Sequence, residues 1–401
     1  MQYNFDLPIE RATGDSIKWN AEFLEKKFQV KDVLPLWVAD MDFKVAEPII
    51  QAIKERAEHG IFGYNFADKS YFESVISWFQ QRYHWKIEER WISITPGIVP
   101  AINFLIQTYT RPGDAVVIQE PVYYPFKDSI LANGRIPLIN ELIEKDCHYC
   151  MDLQDLEQKF QSPRVKMFIL CSPHNPVGRV WIKTELLHLS EICEKYDILV
   201  VSDEIHCDLT FPRHSHIPFA SLSPENLNRT ITCTAASKTF NLAGLQTSNI
   251  IIPNPKLRKE FQTTLESLSL LGVNLFGITA VKAAYMHGHQ WLEEVLQYIY
   301  QNYQKMREFL EEQLPQVIVF PLEGTYLAWL DFRPLKIPAK ELDNLIKKHA
   351  KVLLDDGAIF GNAGEGFQRV NLACPWKTLH EALMRIAQAC REFFNKQPEG
   401  S

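Results

Sequence analysis

The chain has 401 residues, of which 46% are hydrophobic and 23% are charged, and its formal net charge at pH 7 is −7. This length favours a large and a small domain, and the acidic balance without a dense Lys/Arg block argues against a nucleic-acid partner. The sequence shows neither a basic-then-apolar leader nor an apolar run that spans a bilayer. We therefore expect a cytoplasmic enzyme without membrane contact.

Eight cysteines are scattered through the predicted core elements, which is typical of reduced, buried thiols. Cys147 and Cys150 have Cys-x-x-Cys spacing, but no second ligand pair accompanies them and they do not open a helix after a strand. His214 and His216 are interpreted as loop residues. We expect no metal site.

The first fifty residues are predicted to form an arm that leads into the buried stretch Leu36–Phe43 (LWVADMDF). This stretch fits either a hydrophobic plug with two capping aspartates or the wall of a substrate pocket, and the pattern favours neither. A helix is expected at Glu47–His59, with Pro48 in its first turn. The glycine-punctuated aromatic loop Gly60–Phe66 then leads into a helix at Lys69–Tyr83.

The segment Ile92–Phe104 (ISITPGIVPAINF) predicts a short strand, a turn at Thr95–Gly97, and a helix that begins near Ile98–Pro100. Backbone N–H groups at a helix start carry the positive end of the dipole and bind phosphate. The plainer alternative is an ordinary strand-to-helix turn.

Strands and helices alternate beyond this point, which predicts a mostly parallel sheet with helices on both faces. We place a helix at Thr184–Tyr196 with Thr184 as its N-cap. The predicted strands are Ala115–Gln119, Ile136–Leu142, Val165–Cys171, Ile198–Ser202, Ile231–Thr234 and Thr247–Ile252. In such sheets ligands bind beyond the carboxyl ends of the strands. The candidate residues at those ends are Thr95–Val99, Tyr123, Asn175, Asp203 and Lys238.

Lys238 lies in an almost uncharged run between a strand and the loop-like Thr239–Gly244. Dehydration there would lower the pKa of its amine and make it a nucleophile, although most lysines near a strand end are solvated. Farther on, Val317–Leu322, Tyr326–Leu330 and Arg369–Leu372 predict a second, smaller sheet. Arg369 would begin a strand after a glycine-rich loop, where it could bind a carboxylate or form a structural ion pair.

This order of residues matches the requirements of pyridoxal 5'-phosphate. The aldehyde of that cofactor needs a lysine that holds it as a Schiff base, and its ring nitrogen needs an acidic partner. Lys238 and Asp203 fit these two roles. Asn175 would donate to the ring oxygen, and Tyr123 would stack on the ring.

The remaining candidates would hold the two anionic groups at such a site. The phosphate would be bound by the amides of Gly97, Ile98 and Val99 together with Ser237. Arg369 would bind the substrate carboxylate.

The chain resembles fold-type I pyridoxal phosphate enzymes of the aminotransferase class I/II superfamily, and most closely the PatB/MalY-type cystathionine β-lyases (C–S lyases). The resemblance covers nearly the whole chain and rests on eight motifs in order: Leu36–Phe43, Phe62–Tyr64, Thr95–Val99, Glu120–Tyr123, His174–Gly178, Asp203–His206, Ser237–Gly244 and Arg369–Leu372. It implies an α/β fold, with a mostly parallel sheet sandwiched by helices and a smaller α/β C-terminal domain. We expect an arm and part of the small domain at 1–50, the large cofactor-binding domain at 51–290 and the small domain at 291–401.

The resemblance also implies roles for further residues. Tyr64 would reach the cofactor phosphate of the neighbouring subunit, which implies a homodimer with shared active sites. Lys238, Tyr123 and Tyr64 would be catalytic. His206 would contact the cofactor, whereas the substrate would be bound by Arg369, Ala39 and Asn175.

Two departures from the wider superfamily favour a lyase over an aminotransferase. Gln246 stands eight residues after the lysine, where aminotransferases commonly carry a phosphate-binding arginine. His206 stands three residues after the aspartate, where many carry a tyrosine. Phosphate binding would then depend more on backbone amides, Ser237 and Tyr64.

The resemblance implies a C–S β-lyase that cleaves L-cystathionine or related S-substituted cysteines to a thiol, pyruvate and ammonia. Two alternatives stay open: an aminotransferase on the same scaffold, and a cofactor-bound regulatory protein. The sequence does not rank cystathionine above cysteine or cystine.

Overall fold

The computed structural model describes residues 3–270 and 272–395, and its centre is a seven-stranded sheet within those residues. The strands in order across the sheet are Ile92–Thr95, Ser248–Ile251, Thr230–Thr234, Leu199–Asp203, Val165–Cys171, Ala115–Ile118 and Ile136–Ile139. Ser248–Ile251 runs antiparallel to both of its neighbours, and the other pairs are parallel. The predicted mostly parallel α/β fold is confirmed.

Both faces of this sheet are covered because its strands are apolar on both sides. Val116 and Met167 pack into one buried cluster, whereas the next residues along the same strands, Val117 and Phe168, pack into another. Successive side chains on a strand point to opposite faces, so each cluster is the interface between one sheet face and its helices.

The α-helices within the described residues surround this sheet and a second, smaller one. None of them is both long and apolar enough to cross a membrane. The helices are Ala21–Phe28, Glu47–Glu58, Lys69–Tyr83, Ile98–Tyr109, Pro125–Ala132, Leu153–Phe160, Lys183–Lys195, Pro224–Arg229, Ala236–Thr239, Pro255–Ser267, Leu275–His287, His289–Gln313, Ala339–Asn344 and Trp376–Asn395.

Two local predictions are wrong. Thr184 does not cap its helix, which begins at Lys183. The Glu185 carboxylate accepts a hydrogen bond from the Ile182 N–H at 2.9 Å. This N–H has no partner within the helix, and Glu185 satisfies it in place of a cap from Thr184. The strand predicted at Ile136–Leu142 ends at Ile139, and the Asn140 side chain beyond it donates to the Asp152 backbone oxygen at 2.9 Å.

The smaller sheet has the strand order Ile318–Val319, Leu327–Asp331, Phe367–Asn371 and Asp355–Asp356, and all of its pairs are antiparallel. The sequence predicted that Arg369 begins its strand. In the structure it lies in the middle of that strand. From the N-terminal part of the chain, Leu34–Pro35 pairs in parallel with Val352–Leu353. The predicted domain boundaries stay predictions, and residues 1 and 401, which bound them, lie outside the described residues.

Candidate active site

A cavity of about 250 Å³ lies at the carboxyl ends of the strands of the main sheet. Most residues singled out in the sequence line it together. They are Ala39, Gly97, Ile98, Val99, Tyr123, Asn175, Asp203, His206, Ser237, Lys238 and Arg369. These positions span 330 residues of sequence, and the parallel sheet is what brings them to one edge.

Lys238 is carried by the short helix Ala236–Thr239 rather than by a loop, directly after the strand Thr230–Thr234. Its Nζ donates a hydrogen bond to the Ala39 backbone oxygen at 2.6 Å. Burial lowers the pKa of this amine to about 8, while the negative charges of Asp40 and Asp203 oppose that shift. The neutral amine, which is the nucleophilic and basic form, is therefore accessible near neutral pH.

Asp203 is the last residue of its strand, and only 4% of it is exposed. Its Oδ1 accepts a hydrogen bond from the Ile205 N–H at 3.1 Å. Burial raises the pKa of the Asp203 carboxyl to about 7. A carboxyl group in this state gains from a cationic N–H partner inside the cavity, because such a partner stabilises its ionised form.

His206 follows Asp203 by three residues and is also buried. Burial lowers the pKa of its imidazole well below the usual range, with Lys238 and Arg369 acting in the same direction. The ring is therefore neutral, and its Nδ1 has no hydrogen-bond partner within the described chain.

Arg369 connects three parts of the cavity wall. Its Nη1 donates to Asn175 Oδ1 at 2.8 Å, and its Nη2 donates to the Trp37 backbone oxygen at 3.1 Å. The same Nη2 forms an ion pair with Asp355 on the adjacent strand. Arg369 Nε is buried and has no hydrogen-bond partner in the described chain. Arg369 thus forms the structural ion pair and also lines the cavity, while its binding of a carboxylate stays a prediction.

The helix Ile98–Tyr109 points its N-terminus into the cavity. Its N-cap, Gly97, has φ of +130°, a conformation that L side chains rarely adopt. This backbone places Gly97, Ile98 and Val99 on the cavity wall that also includes Ser237. Helix N-termini bind anions through free N–H groups and the helix dipole.

The stretch Leu36–Phe43 combines the two functions between which the sequence could not decide. Trp37, Val38 and Ala39 line the cavity. Asp40 and Asp42 instead form ion pairs with Arg11 and Lys18 of the N-terminal arm.

The arm holds this stretch through a cluster of close polar contacts. Arg11 pairs with Asp40 and with Asp42 at 2.5 Å each. Lys18, whose side chain is fully buried, pairs with Asp42 at 2.8 Å, and the Trp19 indole N–H donates to the same carboxylate at 2.7 Å. We call Arg11, Lys18, Asp40 and Asp42 the arm clamp.

Tyr64 is the predicted site residue that this single chain does not bring to the cavity. It is fully exposed, as are large parts of Ile61, Phe62 and Phe66 in the same loop. The contact predicted between Tyr64 and the cofactor of a neighbouring subunit stays a prediction.

The sequence did not point to Tyr124, Cys171 or Asp355, which also line the cavity. Tyr124 is adjacent to a residue that was singled out. Asp355 carries no motif, and its role depends on the strand register that places it opposite Arg369. Cys147 and Cys150 lie outside the cavity lining, at the hairpin formed by Ile143–Lys145 and His148–Cys150.

Comparison with known proteins identifies the family of this chain. A family model described as aminotransferase class I and II matches residues 31–386. The chain belongs to this family. Cystathionine beta-lyase PatB of Bacillus subtilis (strain 168) is 45% identical over 386 residues, which cover 96% of this chain and 99% of that protein.

Solved structures of similar proteins share the fold over nearly the full length. Cystalysin from Treponema denticola, which contains a pyridoxal 5'-phosphate cofactor, has a TM-score of 0.95 at 38% identity and covers 98% of this chain and 100% of its own. A PLP-bound putative aminotransferase from Clostridium difficile 630 has a TM-score of 0.94 at 43% identity, covering 97% and 100%. The resemblance to fold-type I enzymes and to PatB/MalY-type lyases is confirmed.

Proposed function

We propose that this protein is a pyridoxal 5'-phosphate-dependent carbon–sulfur β-lyase that cleaves L-cystathionine or related S-substituted cysteines to a thiol, pyruvate and ammonia. The observation that carries this proposal is the joint placement of Lys238, Asp203 and Arg369 around one cavity. The 45% identity to a cystathionine β-lyase over nearly the full length supports the lyase reaction in particular.

The cavity fits the cofactor on chemical grounds. A lysine with a lowered pKa suits the aldehyde, and the buried Asp203 carboxyl suits a protonated ring nitrogen. The helix N-terminus at Gly97 suits a phosphate. Asn175 and the unpartnered His206 Nδ1 lie in the same wall and would complete the polar contacts to the ring.

When bound, pyridoxal 5'-phosphate supplies an electron sink that stabilises negative charge at the substrate Cα. Arg369, which lines the cavity, would hold the α-carboxylate of the amino acid. Lys238 Nζ would take the Cα proton, which is the proton whose loss allows the thiol to depart from Cβ. A general base in this position contributes about 10²–10⁴-fold to the rate. Asp203 would hold a proton shared with the ring nitrogen.

The lyase assignment is tested by incubating the purified, cofactor-loaded protein with L-cystathionine. Formation of pyruvate and a thiol is the expected result, and Lys238→Ala should abolish it. Conversion of the amino acid only in the presence of an added keto acid would instead show an aminotransferase. Borohydride reduction followed by peptide mapping should place a pyridoxyl label on Lys238, and its absence there would contradict the cofactor assignment.

The proposal includes a homodimer with shared active sites. The loop with Ile61, Phe62, Tyr64 and Phe66 exposes large apolar side chains next to one another, which is typical of an interaction surface. In such a dimer Tyr64 would reach the phosphate in the partner's cavity.

Subunit complementation tests this sharing directly. Lys238→Ala and Tyr64→Phe homodimers should both have low activity. In a mixed dimer, the cavity with an intact Lys238 receives an intact Tyr64 from the other chain, so mixing the two variants should restore activity. If Tyr64 acted within its own chain, mixing would restore nothing.

We further propose a large cofactor-binding domain at 51–290, flanked by the arm and part of the small domain at 1–50 and the small domain at 291–401. The separate sheets formed by strands within 92–251 and 318–371 support this division. A cytoplasmic location is supported by the eight cysteines, all of which are free thiols.

A further inference from the structure

Asp355 is a charged cavity residue to which the proposed reaction gives no task. It lies on the strand Asp355–Asp356, directly opposite Arg369 on the neighbouring strand. Only 8% of it is exposed, and its carboxylate forms an ion pair with Arg369 Nη2. A buried carboxylate is thus located at the point where a carboxylate substrate is expected to bind.

The charged side chains of the cavity wall determine which substrate side chains Asp355 would affect. The described residues that line the cavity include two cationic side chains, Lys238 and Arg369, and two carboxylates, Asp203 and Asp355. The cofactor would engage Lys238 and Asp203, and the substrate α-carboxylate would engage Arg369. A second carboxylate on the substrate side chain would then meet no lysine or arginine of this described lining, and it would lie in the same small cavity as Asp355.

The packing around Arg369 fixes the guanidinium that pairs with Asp355. Arg369 Nη1 is bonded to Asn175, and the guanidinium lies 4.7 Å from the centre of the Phe360 ring. A guanidinium has five N–H donors, and the contacts with Asn175, Trp37 and Asp355 do not use all of them. An incoming α-carboxylate can therefore bind to Arg369 without displacing Asp355, so both negative charges are present at once.

We propose that Asp355 determines substrate specificity by rejecting amino acids whose side chain ends in an unpaired carboxylate, and by admitting S-substituted cysteines with a neutral or ammonium-bearing side chain. The inference rests on the proposed function, since it requires the α-carboxylate at Arg369. L-Cystathionine satisfies the rule because its distal end carries an ammonium group beside its carboxylate. Like charges placed together discriminate against wrong ligands, whereas an ammonium group is attracted.

Two substrates of nearly equal shape isolate this charge effect. S-Carbamoylmethyl-L-cysteine ends in a neutral amide, whereas S-carboxymethyl-L-cysteine ends in a carboxylate. The wild-type holoenzyme should prefer the amide in kcat/KM by about tenfold or more. Asp355→Asn should lower this ratio clearly, and any preference that is left reflects the different acidity of the two leaving thiols.

The matched control is Asp356→Asn on the adjacent residue. Asp356 lies outside the cavity lining and caps the turn Gly357–Phe360 by accepting a hydrogen bond from the Ala358 N–H, which asparagine can also do. Asp356→Asn should therefore have the same ratio of kcat/KM for the two conjugates as the wild type. A general structural defect in Asp355→Asn would lower kcat/KM for both substrates alike, so an unchanged ratio in that variant would overturn the proposal.

Binding measurements separate this inference from the lyase reaction. Calorimetric titration of both conjugates into the cofactor-loaded Lys238→Ala variant, with and without Asp355→Asn, reports discrimination without turnover. Loss of discrimination with Asp355→Asn supports the role of Asp355 even if the wild type forms no pyruvate, which would overturn the lyase proposal alone. Pyruvate formation with undiminished discrimination in Asp355→Asn would overturn the role of Asp355 alone.

Discussion

The Lys238 amine donates a hydrogen bond to the Ala39 backbone oxygen at 2.6 Å, across 199 positions of sequence. The same oxygen accepts a second hydrogen bond, at 2.8 Å, from the hydroxyl of the buried Tyr326. Ala39 in turn belongs to the stretch that the arm clamp holds. The position of the reactive amine is therefore coupled to the N-terminal arm through one backbone carbonyl.

The lowered pKa of Lys238 has a consequence for the stability of the cofactor-free protein. Its pKa is about 8 in the folded chain and 10.5 in the unfolded chain. Between these values the unfolded chain binds more protons, so folding stability should rise with pH across this window. Below pH 8 the amine is protonated in both the folded and the unfolded chain. Burial of this charge then lowers the free energy of unfolding by at most roughly 3 kcal/mol.

Denaturant unfolding of cofactor-free wild type and Lys238→Met at pH 7 and pH 10 measures this effect. Methionine has a similar volume and no charge, so the variant should be more stable than wild type at pH 7. The difference should shrink at pH 10. An equal difference at both pH values would contradict the lowered pKa of Lys238.

The arm clamp should contribute strongly to folding stability because Lys18 is fully buried. Lys18→Met leaves the buried Asp42 carboxylate with Arg11 and Trp19 but without its closest lysine. Breaking a buried ion pair costs about 3–5 kcal/mol, and here the remaining partners should reduce the loss to about 2–3 kcal/mol. The measurement is the denaturant midpoint.

Lys31→Met is the matched control, because Lys31 forms an ion pair with Glu25 in which both side chains are largely exposed. Exposed pairs contribute little, so its denaturant midpoint should equal that of the wild type. Equal losses in both variants would show that the arm clamp is not a stabilising element.

The sequence predicted the main sheet and most of the cavity wall because those features depend on local patterns. The strand Val165–Cys171 is apolar except for Lys166, and the Thr95-Pro-Gly97 turn predicts a helix start within a few residues. Topology then fixes where such strand ends meet. Lys238, Asp203 and Asn175 could be located in this way without any knowledge of distances.

Other parts of the site depend on contacts between distant segments, and these could not be predicted. The pairing of Asp355 with Arg369 is fixed by the register of two antiparallel strands. The arm clamp joins residues 11 and 18 to residues 40 and 42, which lie in a stretch of sequence without helical or strand periodicity. No local propensity encodes either contact, because each results from packing of the whole chain.

Gly97→Ala should destabilise the protein and weaken phosphate binding together. The φ of +130° at Gly97 is strained for an L side chain, at a cost of about 1–3 kcal/mol. Any relaxation of this strain would move the helix N-terminus that faces the cavity. Equilibrium dialysis of the cofactor and thermal unfolding should both show the loss.

Gly14→Ala provides the comparison for that variant, because Gly14 does not have a positive φ and a Cβ there would contact only the Arg11 backbone oxygen at 3.9 Å. Its cofactor affinity and melting temperature should match those of the wild type. A Gly97→Ala protein with unchanged cofactor affinity would contradict the assignment of this helix start to the phosphate.

Removal of Arg369 should affect substrate binding and stability through separate routes. Arg369→Gln removes the proposed carboxylate ligand, so kcat/KM for cystathionine should fall by about two orders of magnitude or more, mainly through KM. It also leaves the buried Asp355 carboxylate without its ion-pair partner, which should cost about 3 kcal/mol of unfolding free energy.

The double variant Arg369→Gln/Asp355→Asn separates these two effects. Neutralising Asp355 removes the unpaired buried charge, so the double variant should regain most of the lost stability. It should not regain kcat/KM, because the carboxylate ligand is still missing. Recovery of activity along with stability would show that Arg369 acts only as a structural partner of Asp355 and does not bind the substrate.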